Sequence, residues 1–139
     1  EADGFGFVNL DQVTVERNGG SGMELAIEGI TVTNCEVLNN NGTGVLVSAP
    51  DQPPATIALA LTANGLTCRG NGGDGMTLAE GSAGITNLVC EGNGGDGLEV
   101  KVGPVDIAHL VCATNGTVNR AGSQLAKSSR RAAARPKSR

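Results

Sequence analysis

The sequence predicts an all-β, single-domain fold: a parallel β-helix (β-solenoid) of about five coils of 22 residues, followed by a basic C-terminal tail. Three observations predict it. The segments NGGSGMEL, NNGTGVLV, NGGDGMTL and NGGDGLEV recur along the chain, and self-similarity at a fixed period marks an architecture of stacked repeats. Within each unit the apolar residues recur two apart, the strand period, and never in the three-and-four pattern of a helix. Finally, the 139 residues include 22 Gly but only two aromatic residues, Phe5 and Phe7. A core without large rings has to be made of Val, Leu, Ile, Met, Cys and Ala in thin layers.

Each unit is anchored on an asparagine: Asn18, Asn40, Asn71, Asn93 and Asn115. The spacings are 22, 31, 22 and 22, so one nine-residue insertion between the second and third units restores a single period; SAPDQPPATIA, with Pro53 and Pro54, is where it falls. Ten and eight residues before each anchor stand Val8/Leu10, Ile30/Val32, Leu61/Ala63, Ala83/Ile85 and Val105/Ile107. Five and three before it stand Val13/Val15, Cys35/Val37, Leu66/Cys68, Leu88/Cys90 and Leu110/Cys112. Five and seven after it stand Met23/Leu25, Val45/Val47, Met76/Leu78 and Leu98/Val100. Each unit thus holds three short strands with two inward residues apiece. Strands this short bury their inward faces only by stacking on the next unit at about 4.8 Å, and five units make a rod of about 24 Å.

The anchor has a physical reason to recur. A sharp bend between strands suits a residue tolerant of left-handed backbone angles, and an Asn side chain there can hydrogen-bond to the adjoining coil. Stacking then makes an asparagine ladder of Asn18, Asn40, Asn71, Asn93 and Asn115. Gly22, Gly44, Gly75 and Gly97 recur four residues on, but Asn119 replaces the fifth and Arg120 follows it, so the solenoid pattern ends near Asn115. These limits divide the chain into a β-helix domain, 1–119, and a basic Ala/Ser/Arg-rich tail, 120–139, expected to be disordered or to form a capping helix. DGFGF at 3–7 imitates DGMTL at 74–78 and reads as the last strand of a preceding coil.

The pattern apolar-x-Cys/Val-x-x-Asn-Gly-Gly-Asp-Gly-apolar-x-apolar, running over residues 8–118, resembles the right-handed parallel β-helix repeats of the pectate-lyase-like superfamily. The resemblance implies the right-handed coil, which general strand-crossover preference also favours. It implies polysaccharide lyases and hydrolases, adhesins, tailspikes and carbohydrate-processing modules as the range of functions. Relatives that cleave galacturonans resemble one another in a Gly-His-Asp and an Arg-Ile-Lys segment, and neither stands here; His109 is the chain's one histidine.

Among residues that could carry chemistry, Asp74 and Asp96 share one position on adjacent coils. They are a carboxylate pair that could hold a loose Ca ion or serve glycoside hydrolysis; the alternative is a solvated turn, since Ser21 and Thr43 share the column. Arg69 aligns with Glu91 one coil on, which predicts an ion pair between coils. Lys101 reads as a solvated edge charge. Cys68, Cys90 and Cys112 fall in one inward column and Cys35 in another, the pattern of small buried hydrophobes rather than of a metal site. In the insertion, Asp51, Gln52 and Thr56 are the candidate carbohydrate-binding residues, because elaborated loops of solenoids often mark a working face.

Charge is segregated. Residues 1–119 hold all fourteen Asp and Glu and three of the ten Lys and Arg, a net −11, and residues 120–139 carry the other seven cations. An acidic body repels phosphate and offers no rings for base stacking, so a nucleic acid partner is disfavoured. No apolar run is long enough to span a bilayer, and no signal-peptide pattern opens the chain, which predicts that any leader has been removed. The expected partner is another copy of the chain, stacked end to end or clamped by the tail, with polysaccharide as a further candidate. The combined expectation is a non-catalytic extracellular or cell-surface module of structural assembly or adhesion. The alternative is a small or truncated carbohydrate-active protein.

Overall fold

The computed structural model describes residues 6–26, 28–48, 59–101, 103–116 and 120–121. The described chain is all strand and turn: β1 (Phe7–Asp11), β2 (Thr14–Glu16), β3 (Met23–Leu25), β4 (Gly29–Thr33), β5 (Glu36–Leu38), β6 (Val45–Val47), β7 (Ala60–Arg69), β8 (Met76–Leu78), β9 (Ser82–Glu91), β10 (Leu98–Val100), β11 (Val105–Ala113) and β12 (Arg120–Ala121). All strand pairs are parallel and join each strand to its equivalent one coil away. One sheet stacks β1 and β2, then β4 and β5, then β7, β9 and β11; the other runs β3, β6, β8, β10, β12. The fold is a parallel β-solenoid. Its rungs enclose about 4 turns, which corrects the expected five coils: five rungs in a stack leave four complete turns between them.

The registers reproduce the columns read from the sequence. Val37 pairs with Cys68, Cys68 with Cys90 and Cys90 with Cys112, while Ile30 pairs with Leu61 and Leu61 with Ala83. The first of these steps spans 31 residues, so the insertion does lie between β6 and β7. The inward side chains of the middle rungs, among them Val37, Leu66, Cys68, Met76, Leu78, Leu88 and Cys90, are 0–1% exposed. Because each layer is one side chain deep, burial depends on the rungs above and below.

Three details differ from expectation. In the last three coils the first two strands of a unit merge into one bent strand of nine or ten residues, β7, β9 and β11. Phe7 belongs to β1, in register with Gly29, and not to a strand of a preceding coil. The second sheet extends to Arg120 and Ala121, in register with Glu99 and Val100, so its pairing enters the segment assigned to the tail.

The bends fall in two columns. The ladder asparagines are not the left-handed residues; the residues before them are: Arg17, Asn39, Gly70, Gly92 and Thr114, with φ of 59°, 55°, 67°, 63° and 54°. A second left-handed column, Gln12, Asn34, Gly65, Asn87 and His109, lies between the first two strands of a unit in the first two coils and inside the merged β7, β9 and β11, where the pairing skips it and resumes in the same register. Asn and Gly tolerate this region, whereas a β-branched residue there is strained. Thr114→Asn should therefore stabilise the protein by roughly 0.5–1 kcal/mol, read as a shift in the denaturant midpoint.

Candidate functional site

The asparagine column carries more side-chain hydrogen bonds than any other column of the described residues. Asn40, Asn71 and Asn93 are 1–2% exposed. Asn71 donates its backbone N–H and one Nδ2 hydrogen to Oδ1 of Asn93, both at 3.0 Å, and the other Nδ2 hydrogen to the Val37 carbonyl at 3.1 Å. Its own Oδ1 accepts from Asn40 N and Nδ2 at 3.1 and 3.0 Å. The same pattern joins Asn18 to Asn40 and Asn93 to Asn115. Between asparagines every donation runs from the earlier residue to the later one, so the ladder has a direction. No buried side-chain nitrogen or oxygen among the described residues lacks a partner.

The carboxylate pair is built into a second cross-coil link. Asp74 Oδ1 accepts the backbone N–H of Asp96 at 2.8 Å, and Oδ2 accepts the Thr77 hydroxyl at 2.8 Å. Asp96 is buried. Both Asp74 oxygens thus hold the turn together, and a Ca ion at this pair would compete with those bonds. Among the described residues no group of three or more His, Cys, Asp or Glu is placed to hold a metal.

The other singled-out residues separate in space. Arg69 Nε and Nη2 donate to Glu91 Oε2 at 3.1 and 2.8 Å, the expected ion pair on an exposed face. Such pairs contribute at most about 1 kcal/mol. Lys101, read as a solvated edge charge, is exposed and also pairs with Glu99 at 3.3 Å. His109 is an exposed residue of the second left-handed column, a role its isolation in the sequence did not reveal. Asp51, Gln52 and Thr56 lie outside the described residues, as does the tail from 122 onward.

None of the four cysteines is in a disulfide among the described residues; Cys35, Cys68 and Cys90 are buried and Cys112 half-buried. At Cys90 a hydrogen bond with Cys112 favours the thiolate, but the bond with Cys68, burial and the charge of Cys68 outweigh it and push the thiol well above its ordinary range. An unfolded thiol ionises above about pH 8.5 while folded Cys90 stays protonated, so stability falls as pH rises beyond that point. In the native state below it, Cys112 should react with an alkylating reagent well before Cys90, as mass spectrometry of timed samples would show.

The two ends of the rod differ from its middle. Val8, Leu10, Val13, Val15 and Leu25 of the first rung are half-buried, as are Leu110 and Cys112 of the last, although their equivalents in between are buried. Val111 of the last rung is 48% exposed. At one end Asn18 is exposed and at the other Asn115 is half-buried. No described helix is long and apolar enough to cross a membrane. Comparison with protein-family models, with curated proteins and with solved structures finds no match to this chain.

Proposed function

We propose that the chain is a non-catalytic structural module of the cell surface or extracellular space, acting in assembly or adhesion by end-to-end stacking. The observation that carries this reading is the state of the two ends. The first rung presents Val8, Leu10, Val13 and Val15 half-buried, the last presents Leu110 and Cys112 half-buried beside the buried Val105 and Ile107, and at both the asparagine ladder stops without a described residue to continue it. An open parallel edge is a template for another strand, and repeat proteins either cap such an edge or pair it. Along the body, by contrast, the groups best suited to chemistry are occupied in holding coil to coil: the asparagines by one another, Asp74 by Thr77 and Asp96, and Arg69 by Glu91. The extracellular placement follows from the pectate-lyase-like resemblance of the repeat.

Sedimentation velocity over a range of concentrations tests the reading, with species growing in steps of one chain as the expected result and a single monomer boundary throughout as the contrary one. That resemblance and the stacked pair Asp74 and Asp96 favour a second reading, a small carbohydrate-active protein. Incubation with acidic and neutral polysaccharides, with and without calcium, separates the two. New reducing or unsaturated ends would establish the second and remove the first.

A further inference from the structure

We infer that the cysteine column is a site of oxidative modification, in which peroxide oxidises Cys112 and the neighbouring Cys90 thiol closes the product to a Cys90–Cys112 disulfide. The inference rests on the stack itself and not on the assembly reading. Cys68, Cys90 and Cys112 stand in register on β7, β9 and β11, each directly across from the next. Adjacent parallel strands lie about 4.7–4.9 Å apart, inside the Cα separation of roughly 4.4–6.8 Å that a disulfide spans. Cβ atoms at the same spacing have to close by only a few tenths of an ångström to reach the separation of about 4.5 Å found in bridged pairs. The Cys90 thiol is hydrogen-bonded to its neighbours on both sides, which already sets sulfur against sulfur.

Burial selects one pair of the two. Cys68 and Cys90 are 0% exposed, while Cys112 is half-buried, so a small oxidant meets Cys112 first. Cys68 lies two coils from Cys112, about 9.6 Å away and beyond the span of a disulfide. Cys35 belongs to a different column, and its Sγ donates to the carbonyls of Thr33 and Leu10 at 3.3 and 3.6 Å. Cys90 is therefore the one thiol of the chain placed to resolve an oxidised Cys112. In the first step the Cys112 sulfur attacks one peroxide oxygen and the O–O bond breaks; hydroxide leaves and takes the thiol proton to become water, and Cys112 is left as the sulfenic acid. In the second, the Cys90 sulfur attacks the Cys112 sulfur and the S–O bond breaks; hydroxide leaves and takes the Cys90 proton. Each thiol gives up one electron, and the peroxide is reduced to two waters. The new bond ties β9 to β11 and restricts the unfolded chain between them.

Peroxide treatment of the folded full chain, followed by alkylation, trypsin digestion and mass spectrometry, tests the assignment. Trypsin cuts after Arg17, Arg69, Lys101 and Arg120, which places Cys35 and Cys68 on one peptide, Cys90 on a second and Cys112 on a third. The expected product joins the second to the third and comes apart in dithiothreitol. The oxidised chain should melt about 5 °C above the reduced one. Cys90→Ser should stop at the Cys112 sulfenic acid, trapped by dimedone, whereas Cys35→Ser and Cys68→Ser should form the link at a rate within about twofold of the parent. Circular dichroism checks the fold of each variant, and the parent digest decides the pairing without any of them. A link between the first peptide and the second, a link between copies, oxidation of Cys112 to the sulfinic acid with no link, or no oxidation at all overturns the inference.

Discussion

Replacing Asn71 with Ala should destabilise the fold by about 4 kcal/mol, whereas Asn18→Ala should cost less than about 1 kcal/mol. Asn71 lies in the middle of the ladder and takes part in five hydrogen bonds out of contact with water. Its loss strands the Asn40 backbone N–H and amide, and the Val37 carbonyl, in a buried layer no water reaches. Each stranded group costs roughly 1–3 kcal/mol, moderated by relaxation of neighbours. Asn18 is exposed at the end, where water replaces what the side chain loses. Denaturant unfolding of both variants measures the contrast. Equal losses would mean that the ladder contributes no more than any surface turn.

The second large effect is steric. A methyl group at Gly75 would lie 2.6 Å from the Gly97 carbonyl oxygen, 2.8 Å from Asn93 Nδ2 and 3.1 Å from Cys90 Cβ. The first two are parts of the next coil held by ladder bonds, so neither can give way without breaking them. Gly75→Ala should cost about 3 kcal/mol or more. Gly84→Ala is the matched control, because nothing lies within 4 Å of the added carbon and the residue is exposed in β9. That change should stabilise by roughly 0.5 kcal/mol, by restricting the unfolded chain. Thermal midpoints that move in opposite directions in the two variants would bear out the account.

Much of this fold was legible because each inward column repeats one chemical demand four or five times. Val37, Cys68, Cys90 and Cys112 look different as residues but are equally small and apolar, so the column survives the substitutions. The ladder was legible for a related reason: a buried amide that both donates and accepts along one axis has no close substitute. The bends were harder to read. Their left-handed residues include Gln12, Arg17, His109 and Thr114, which carry no backbone signal in their type. Only Asn34, Gly65 and Asn87, alike in tolerance and spaced with the repeat, marked the second bend. The Lys101–Glu99 pair also escaped notice, because it lies along one coil and not between two. The direction of the ladder could not be read at all, since the letters show which residues stack and not which end donates.

Electron microscopy of the negatively stained chain at micromolar concentration, beside a version lacking residues 120–139, tests the central claim most directly. The account predicts rods that lengthen with concentration in increments of about 24 Å, shortened or lost in the truncated sample because residues 120–121 form the last rung of the second sheet. Uniform single particles in both samples at every concentration would contradict it.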